Sequence, residues 1–298
     1  MAFRDIALAI LVALVWGFNF VVIKEGLTAF PPLLFSALRF VSAAVPAVFL
    51  LRRGTIPWSV ILKVGLVLGV VKYSLMYLGV KAGMPAGLSS LAIQSQVLFT
   101  AGLSAWVLKD APAPWQRVGI GVALAGILLI ATTRQGDVNG AGFALLMGAA
   151  AAWGVANILI KQAAVDSFRL MVWMSVVPPL PLFILSFLFE EGQLEALSRL
   201  DAKGVGAVLY TGLIATVLAF GVWGYLFRKY SPNVVSPFSL LVPVFGMTLS
   251  SAVLGERLSP MEMGAAGLVL AGLVLIVLGR RLPGAAAAPT AAAAPTKG

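Results

Sequence analysis

Apolar runs separated by short polar stretches recur from the N-terminus to Gly279. Each run is about 20 residues, the length at which a helix crosses a hydrocarbon core of about 30 Å. A backbone in lipid must satisfy its own hydrogen bonds, so helices are the expected elements. The pattern predicts ten spans, at 5–24, 31–51, 57–80, 84–108, 114–133, 140–161, 168–189, 203–227, 232–254 and 260–279. Pro31, Pro32, Pro57, Pro85, Pro114, Pro232 and Pro260 fall at or near span starts, where the missing N–H costs little. Pro46, Pro178, Pro179, Pro181, Pro237 and Pro243 fall inside spans and predict kinks whose freed carbonyls neighbours must satisfy.

Composition points the same way. Hydrophobic residues make up 60% of the 298 and charged ones 11%, against about a quarter charged in soluble domains. The chain has no cysteine and no histidine, which removes disulfides, thiolate nucleophiles, imidazole bases and the commonest metal ligands. No metal site and no cofactor is expected. The net charge of +10 is scattered singly or in pairs between apolar runs, so a nucleic-acid partner is not expected. Lys and Arg instead accumulate on alternate connections, at Arg4, Arg52, Arg53, Lys63, Lys109, Arg117, Lys161, Arg169, Arg228, Lys229, Arg280, Arg281 and Lys297. The opposite side holds Lys24, Lys81, Arg134, Arg199, Lys203 and Arg257. The positive-inside rule then places both termini in the cytoplasm. Residues 4–24 could be read as a signal peptide, but the run continues through Trp16, Gly17 and Asn19 without a small-residue cleavage pattern and reads as an uncleaved span. Residues 283–298, rich in Ala and Pro, read as a disordered cytoplasmic tail.

The chain repeats itself. Trp16-Gly17 with Lys24 matches Trp153-Gly154 with Lys161 at an offset of 137 residues. Pro114, Gly121, Leu124, Gly126 and Ile130 match Pro260, Gly267, Leu270, Gly272 and Ile276 at an offset of 146. This divides the chain into 1–137, a first five-helix repeat, and 138–282, a second. With an odd number of spans in each, the second enters the membrane from the other side, the inverted arrangement of secondary transporters whose site lies near mid-membrane. The expected fold is an all-α polytopic membrane protein of ten transmembrane helices in two inverted five-helix repeats. The pairs Gly121/Ala125 and Gly267/Ala271 are expected at helix–helix contacts.

Ionisable groups at membrane depth are costly and mark candidate sites. Lys72 falls near the middle of the third span, on one helical stripe with Tyr73, Met76 and Tyr77. A cation flanked by phenols and a thioether suits a carboxylate carrying an organic side chain. Arg39 is expected to be structural, tying together kinked backbone. Trp16 with Asn19, and Trp153 with Asn157, share faces of the first helix of each half. Asn offers donors and acceptors for a zwitterion, and Trp a wall for an apolar body. Gln94 and Gln96 lie about 200° apart on a regular helix; Gln94 is assigned to the cavity and Gln96 to packing. No Asp or Glu lies deep in a span, which favours facilitated or exchange transport over proton coupling and speaks against a cationic multidrug exporter. An intramembrane enzyme built on a Ser–Lys pair such as Ser90 with Lys72 would lack a histidine or buried acid to orient it.

The segments WGFNFVVIKEGL, PPLLFSALRF, MPAGLSSLAIQSQVLFT and SPFSLLVPVFGMTLSSAVLGERL resemble signature stretches of the drug/metabolite transporter superfamily, EamA branch, over all ten spans. The resemblance implies inverted five-helix repeats, cytoplasmic termini in a bacterial inner membrane, and export of amino acids or related metabolites. The nearest groups are the cysteine/O-acetylserine exporters and the YddG-type exporters of aromatic and other neutral amino acids. It also implies that Trp16, Asn19, Trp153 and Asn157 stand at cavity positions. The expected substrate site is therefore Lys72, Tyr73, Met76, Tyr77, Trp16, Asn19, Gln94, Trp153 and Asn157. The expected partners are a small-molecule substrate, namely amino acids, and membrane lipid, with the protein a monomer and not an enzyme.

Overall fold

A computed structural model describes residues 1–132, 140–230 and 232–279. The predicted tail at 283–298, the boundary at 137/138 and the connection bearing Arg134 lie outside the described residues. Among the described residues there are helices and no strand. The long elements are α1 (Phe3–Ala29), α2 (Pro32–Leu50), α3 (Trp58–Lys81), α4 (86–107), α5 (Pro114–Thr132), α6 (Gly140–Ala163), α7 (Ser167–Phe189), α8 (Ala202–Lys229), α9 (Ser236–Leu254) and α10 (Pro260–Leu278). Eight of these are long and apolar enough to span a membrane. In α2 the apolar stretch is shorter, Pro32–Pro46, and α4 carries Gln94, Ser95 and Gln96 at its centre.

Several helix starts are fixed by side chains that accept from otherwise unpaired N–H groups. The Asp166 carboxylate accepts from Arg169 N at 2.8 Å, and that of Asp201 from Gly204 N at 2.7 Å. Ser259 and Glu262 form a reciprocal capping box at the start of α10. Two of the expected proline interruptions are present, whereas Pro46 and Pro243 lie inside continuous helix. α7 is interrupted between Met174 and Pro179, and Ser236–Leu240, around Pro237, is wound as a 3-10 helix. The sequence pattern did not anticipate that Gly65–Lys72 in α3 and Tyr210–Leu218 in α8 are π-helical. The two stretches occupy equivalent places in the two halves, and such widened turns recur at functional sites.

Residue pairings set the direction of the halves. A methyl group on Gly119 would lie 2.7 Å from the Gly272 carbonyl oxygen, and one on Gly126 2.8 Å from that of Ala265, so α5 and α10 run antiparallel. Glu190 at the end of α7 meets Leu33 and Leu34 at the start of α2, while the Trp173 indole N–H reaches the Leu51 carbonyl. In α4 and α9, Gly87 abuts Ser250 and Ser90 abuts Gly246. Each pair joins equivalent helices of the two halves, and each is antiparallel, as the inverted repeat requires.

The contacts between α5 and α10 correct one expectation. Lipid tails are as apolar as Leu, so helices associate in membranes through close packing of small residues rather than through exclusion of water. The expected Gly121 and Gly267 have open space around them and are exposed, as are Ala125 and Ala271. The contact is made by Gly119, Ala123 and Gly126 against Ala265, Val269 and Gly272. The choice of face depends on helix rotation, and two small-residue stripes competed for it. Large apolar side chains cover the outside, among them Trp106 at 78% exposure and Leu128 at 65%, a surface suited to lipid.

Candidate functional site

The sequence-predicted stripe on α3 lies at the centre of the molecule. Tyr73, Met76 and Tyr77 are buried in the main core, and Lys72 beside them is 3% exposed. The Lys72 ammonium lies 3.5 Å from the Tyr73 ring centroid and 4.5 Å from that of Trp153 on α6. It points into the protein, between the two halves. Both rings offer the negative face of their quadrupole to the cation.

Arg39 belongs to the same cluster, which corrects its expected role as a backbone tie. It is 2% exposed, and its partners are side chains. Nη2 donates to the Tyr73 hydroxyl at 2.9 Å and to Thr216 Oγ1 at 2.9 Å, and Nη1 to the Tyr77 hydroxyl at 3.4 Å. The guanidinium carbon stands 4.0 Å from the Tyr73 ring centroid. Arg39 is eight residues into α2, about 12 Å along its axis, a depth that could have flagged it. Thr216, in the π-helical stretch of α8, had no such signal. The Tyr73 ring is thus shared by two buried cations. Among the described residues the ion pairs are Lys24–Glu256, Lys161–Asp110, Arg199–Glu195 and Lys229–Asp5, so neither Arg39 nor Lys72 is paired with a carboxylate.

A cavity of about 330 Å³ lies between α4, α5, α6 and α10, lined by Gln96, Thr100, Ser104, Asp110, Gln116 and Asn157 among others. It reaches the end of the molecule at Asp110 and Pro112. Asn157 Nδ2 donates to Gln96 Oε1 at 2.7 Å and to Thr100 Oγ1 at 3.0 Å. Gln96, expected in packing, therefore lines the cavity. Gln94, expected in the cavity, is 7% exposed within the 3-10 turn Ile93–Ser95 and is absent from the lining of this cavity. Trp153 lies one turn from Asn157 on α6, so the two share a face of that helix, but neither Trp153 nor Lys72 lines this cavity.

The first helix of the other half is arranged differently. Trp16 donates from its indole N–H to the Ala215 carbonyl at 2.9 Å and packs on Phe220 and Trp223 of α8. Asn19 is 7% exposed and its Oδ1 has no hydrogen-bond partner. The structure therefore brings Lys72, Tyr73, Tyr77 and Trp153 together with Arg39, and puts Asn157 in the cavity lined by Gln96 and Asp110. Trp16 is held against α8.

Both ends of the molecule carry a cavity: besides the one at Asp110, a hollow of about 640 Å³ at the opposite end is lined by Leu27, Phe30, Lys81, Glu190, Glu195 and Asp201 among others. At the end bearing Lys24, Glu256 accepts from Ala86 N at 2.7 Å and Gly87 N at 3.0 Å, and its carboxylate lies 3.5 Å from the Lys24 ammonium. Glu190 likewise accepts from Leu33 N at 2.8 Å and Leu34 N at 3.2 Å. Each carboxylate at the end of a second-half helix holds the start of a first-half helix, where the dipole and free N–H groups favour an anion. At the other end, the repeat equivalent of Lys24–Glu256 is Lys161–Asp110, at 3.3 Å, and there Asp110 borders the open cavity.

The profile of the EamA-like transporter family matches residues 4–132 and again residues 140–278. The chain belongs to this family. Two EamA units in tandem coincide with the two antiparallel halves, and the family is one of transporters, not enzymes. Among similar proteins is a "Probable amino-acid metabolite efflux pump" of Salmonella typhimurium, 39% identical, covering 95% of this chain and 97% of that one. A protein of the same name from Escherichia coli K12 is 34% identical over 94% and 97%. The "Uncharacterized inner membrane transporter YedA" of the same organism is 26% identical over 90% of this chain and 89% of its own length. One solved protein structure overlays with a TM-score of 0.67 at 18% identity, covering 93% of this chain and 98% of the other, which establishes likeness of fold.

Proposed function

We propose that this EamA protein exports neutral amino acids with aromatic or other bulky side chains, and related metabolites, across a bacterial inner membrane by alternating access. The observation that carries this reading is a buried lysine, Lys72, held against the Tyr73 and Trp153 rings without a carboxylate partner. A cation left unneutralised in a low-dielectric interior costs several kcal/mol, and a carrier recovers that cost when a substrate carboxylate arrives. Tyr73, Met76, Tyr77 and Trp153 would then face the side chain. Asn157 and Gln96 would line the approach, and Asn19 would offer its free Oδ1 to a polar group. The names of the relatives support amino-acid metabolites as cargo and efflux as the direction.

In this reading the Glu190 and Glu256 carboxylates hold the two halves together at the outer end, which also carries the hollow beside Glu190, and the cavity at Asp110 is open to the cytoplasm, where both termini also lie. The protein works as a monomer in facilitated or exchange mode. Transport requires the reverse arrangement to be accessible, with the second-half helices released from the starts of α2 and α4. Counterflow in proteoliposomes loaded with unlabelled phenylalanine tests it: labelled phenylalanine should accumulate transiently, whatever the pH gradient. Absence of counterflow across a panel of neutral amino acids would refute the cargo, and strict dependence on the pH gradient would refute the mode.

A further inference from the structure

Arg39 and Lys72 are less than two ring-to-cation distances apart, because one guanidinium carbon at 4.0 Å and one ammonium at 3.5 Å share the Tyr73 centroid. Like charges this close in a poorly polarisable interior repel, and no acidic side chain among the described ion pairs offsets either one. Among the residues that line the cavity beside Asn157, Asp110 is the acidic one, and it already stands beside Lys161. Arg39 Nε is a buried donor with no acceptor, and Asn19 Oδ1 a buried acceptor with no donor. A carboxylate brings the charge that this cluster lacks. An α-ammonium on the same ligand adds a third positive charge near the other two.

We infer that Arg39 and Lys72 form a single two-cation receptor that ranks cargo by charge: carboxylates whose α-nitrogen is acylated or absent bind more tightly than the corresponding zwitterions, and amines without a carboxylate are rejected. The inference rests on the reading of Lys72 as the carboxylate site and narrows its substrate class. Acylation turns the nitrogen into a neutral amide and so removes the third positive charge, while the side chain keeps its contacts with Tyr73, Tyr77 and Trp153. Arg39 then takes part in binding through its charge as well as through its bonds to Tyr73, Tyr77 and Thr216.

The test is uptake of labelled phenylalanine, N-acetylphenylalanine and phenethylamine into proteoliposomes of the full chain, with protein-free liposomes subtracted. The half-saturating concentration of N-acetylphenylalanine should lie about tenfold or more below that of phenylalanine, and phenethylamine should not enter. Arg39→Gln and Lys72→Gln should each compress that ratio toward one by weakening the anion more than the zwitterion, whereas Arg39→Lys, which keeps the charge, should preserve it. If phenylalanine binds as tightly as its N-acetyl derivative in the wild-type protein, the inference is wrong while the carboxylate site stands. If neither carboxylate is transported, both fall. The wild-type comparison decides the matter even where an Arg39 variant fails to fold.

Discussion

Replacing Lys72 by methionine keeps most of the volume at the site and removes its charge. A carboxylate about 3 Å from the ammonium gains roughly 5 kcal/mol at an effective dielectric constant near 20. Desolvation offsets about half of that, leaving about 2–3 kcal/mol, so Lys72→Met should weaken phenylalanine binding about 30- to 150-fold. Folding stability should move the other way. Two cations that share the Tyr73 ring repel by about 2 kcal/mol at this dielectric constant, and the lysine also recovers its own desolvation. The lost cation–π contacts with Tyr73 and Trp153 offset about 1–2 kcal/mol. The net expectation is a gain of roughly 1–3 kcal/mol and a Tm higher by a few degrees. Thermal unfolding of detergent-solubilised protein, with and without ligand, reads both effects in one experiment. A variant that unfolds at lower temperature and binds phenylalanine with wild-type affinity would show that Lys72 serves packing, and would refute the reasoning.

Gly126→Leu should destabilise the fold by about 3 kcal/mol or more, because its Cβ meets the Ala265 carbonyl oxygen and Val269 N, each at 2.8 Å; Gly121→Leu, with open space around it, should be near neutral, and melting of the two variants side by side checks the assignment of faces. Asn157→Ala removes the donor to Gln96 and Thr100, but these acceptors line a cavity that water can enter, so stability should change by less than about 1 kcal/mol while the KM for uptake shifts several-fold. The chain has no cysteine, so Ala2→Cys supplies a unique thiol that an impermeant maleimide should modify in inside-out vesicles and not in intact cells; the opposite pattern would reverse the proposed orientation.

The ten helices and their inversion were legible because membrane thickness fixes run length and because the Trp-Gly and Pro-Gly-Leu blocks recur at matched offsets. Helix rotation was not legible. In a soluble helix the polar side marks the surface, but here lipid and core are both apolar, so hydropathy says little about which face of α5 meets α10. That ambiguity explains why Gly121 was expected at the contact and Gly119 and Gly126 made it. The same ambiguity applies to Gln94 and Gln96, two positions on opposite sides of one helix, of which Gln96 lines the cavity beside Asn157 and Gln94 is buried. Lys72 could be found because a charge deep in a span is costly wherever it points. Arg39 carries the same signal, but its partners Tyr73 and Tyr77 on α3 and Thr216 on α8 come from two helices distant in sequence. The π-helical stretches at Gly65–Lys72 and Tyr210–Leu218 have no pattern in the sequence beyond their glycines.

The central claim is that two inverted halves exchange which end of the molecule is closed. Ser104 and Ser250 are equivalent positions in the two halves; Ser104 lines the open cavity, and Ser250 is 1% exposed beside Gly87 under the Glu256 clamp. Maleimide labelling of Ser104→Cys and Ser250→Cys, each with and without Glu256→Gln, measures the exchange. With Glu256 intact, position 104 should react and position 250 should be protected. Loss of the charged clamp, worth about 1–3 kcal/mol, should raise labelling at 250 and lower it at 104. Labelling that rises at both positions, or changes at neither, would contradict alternating access between these two ends.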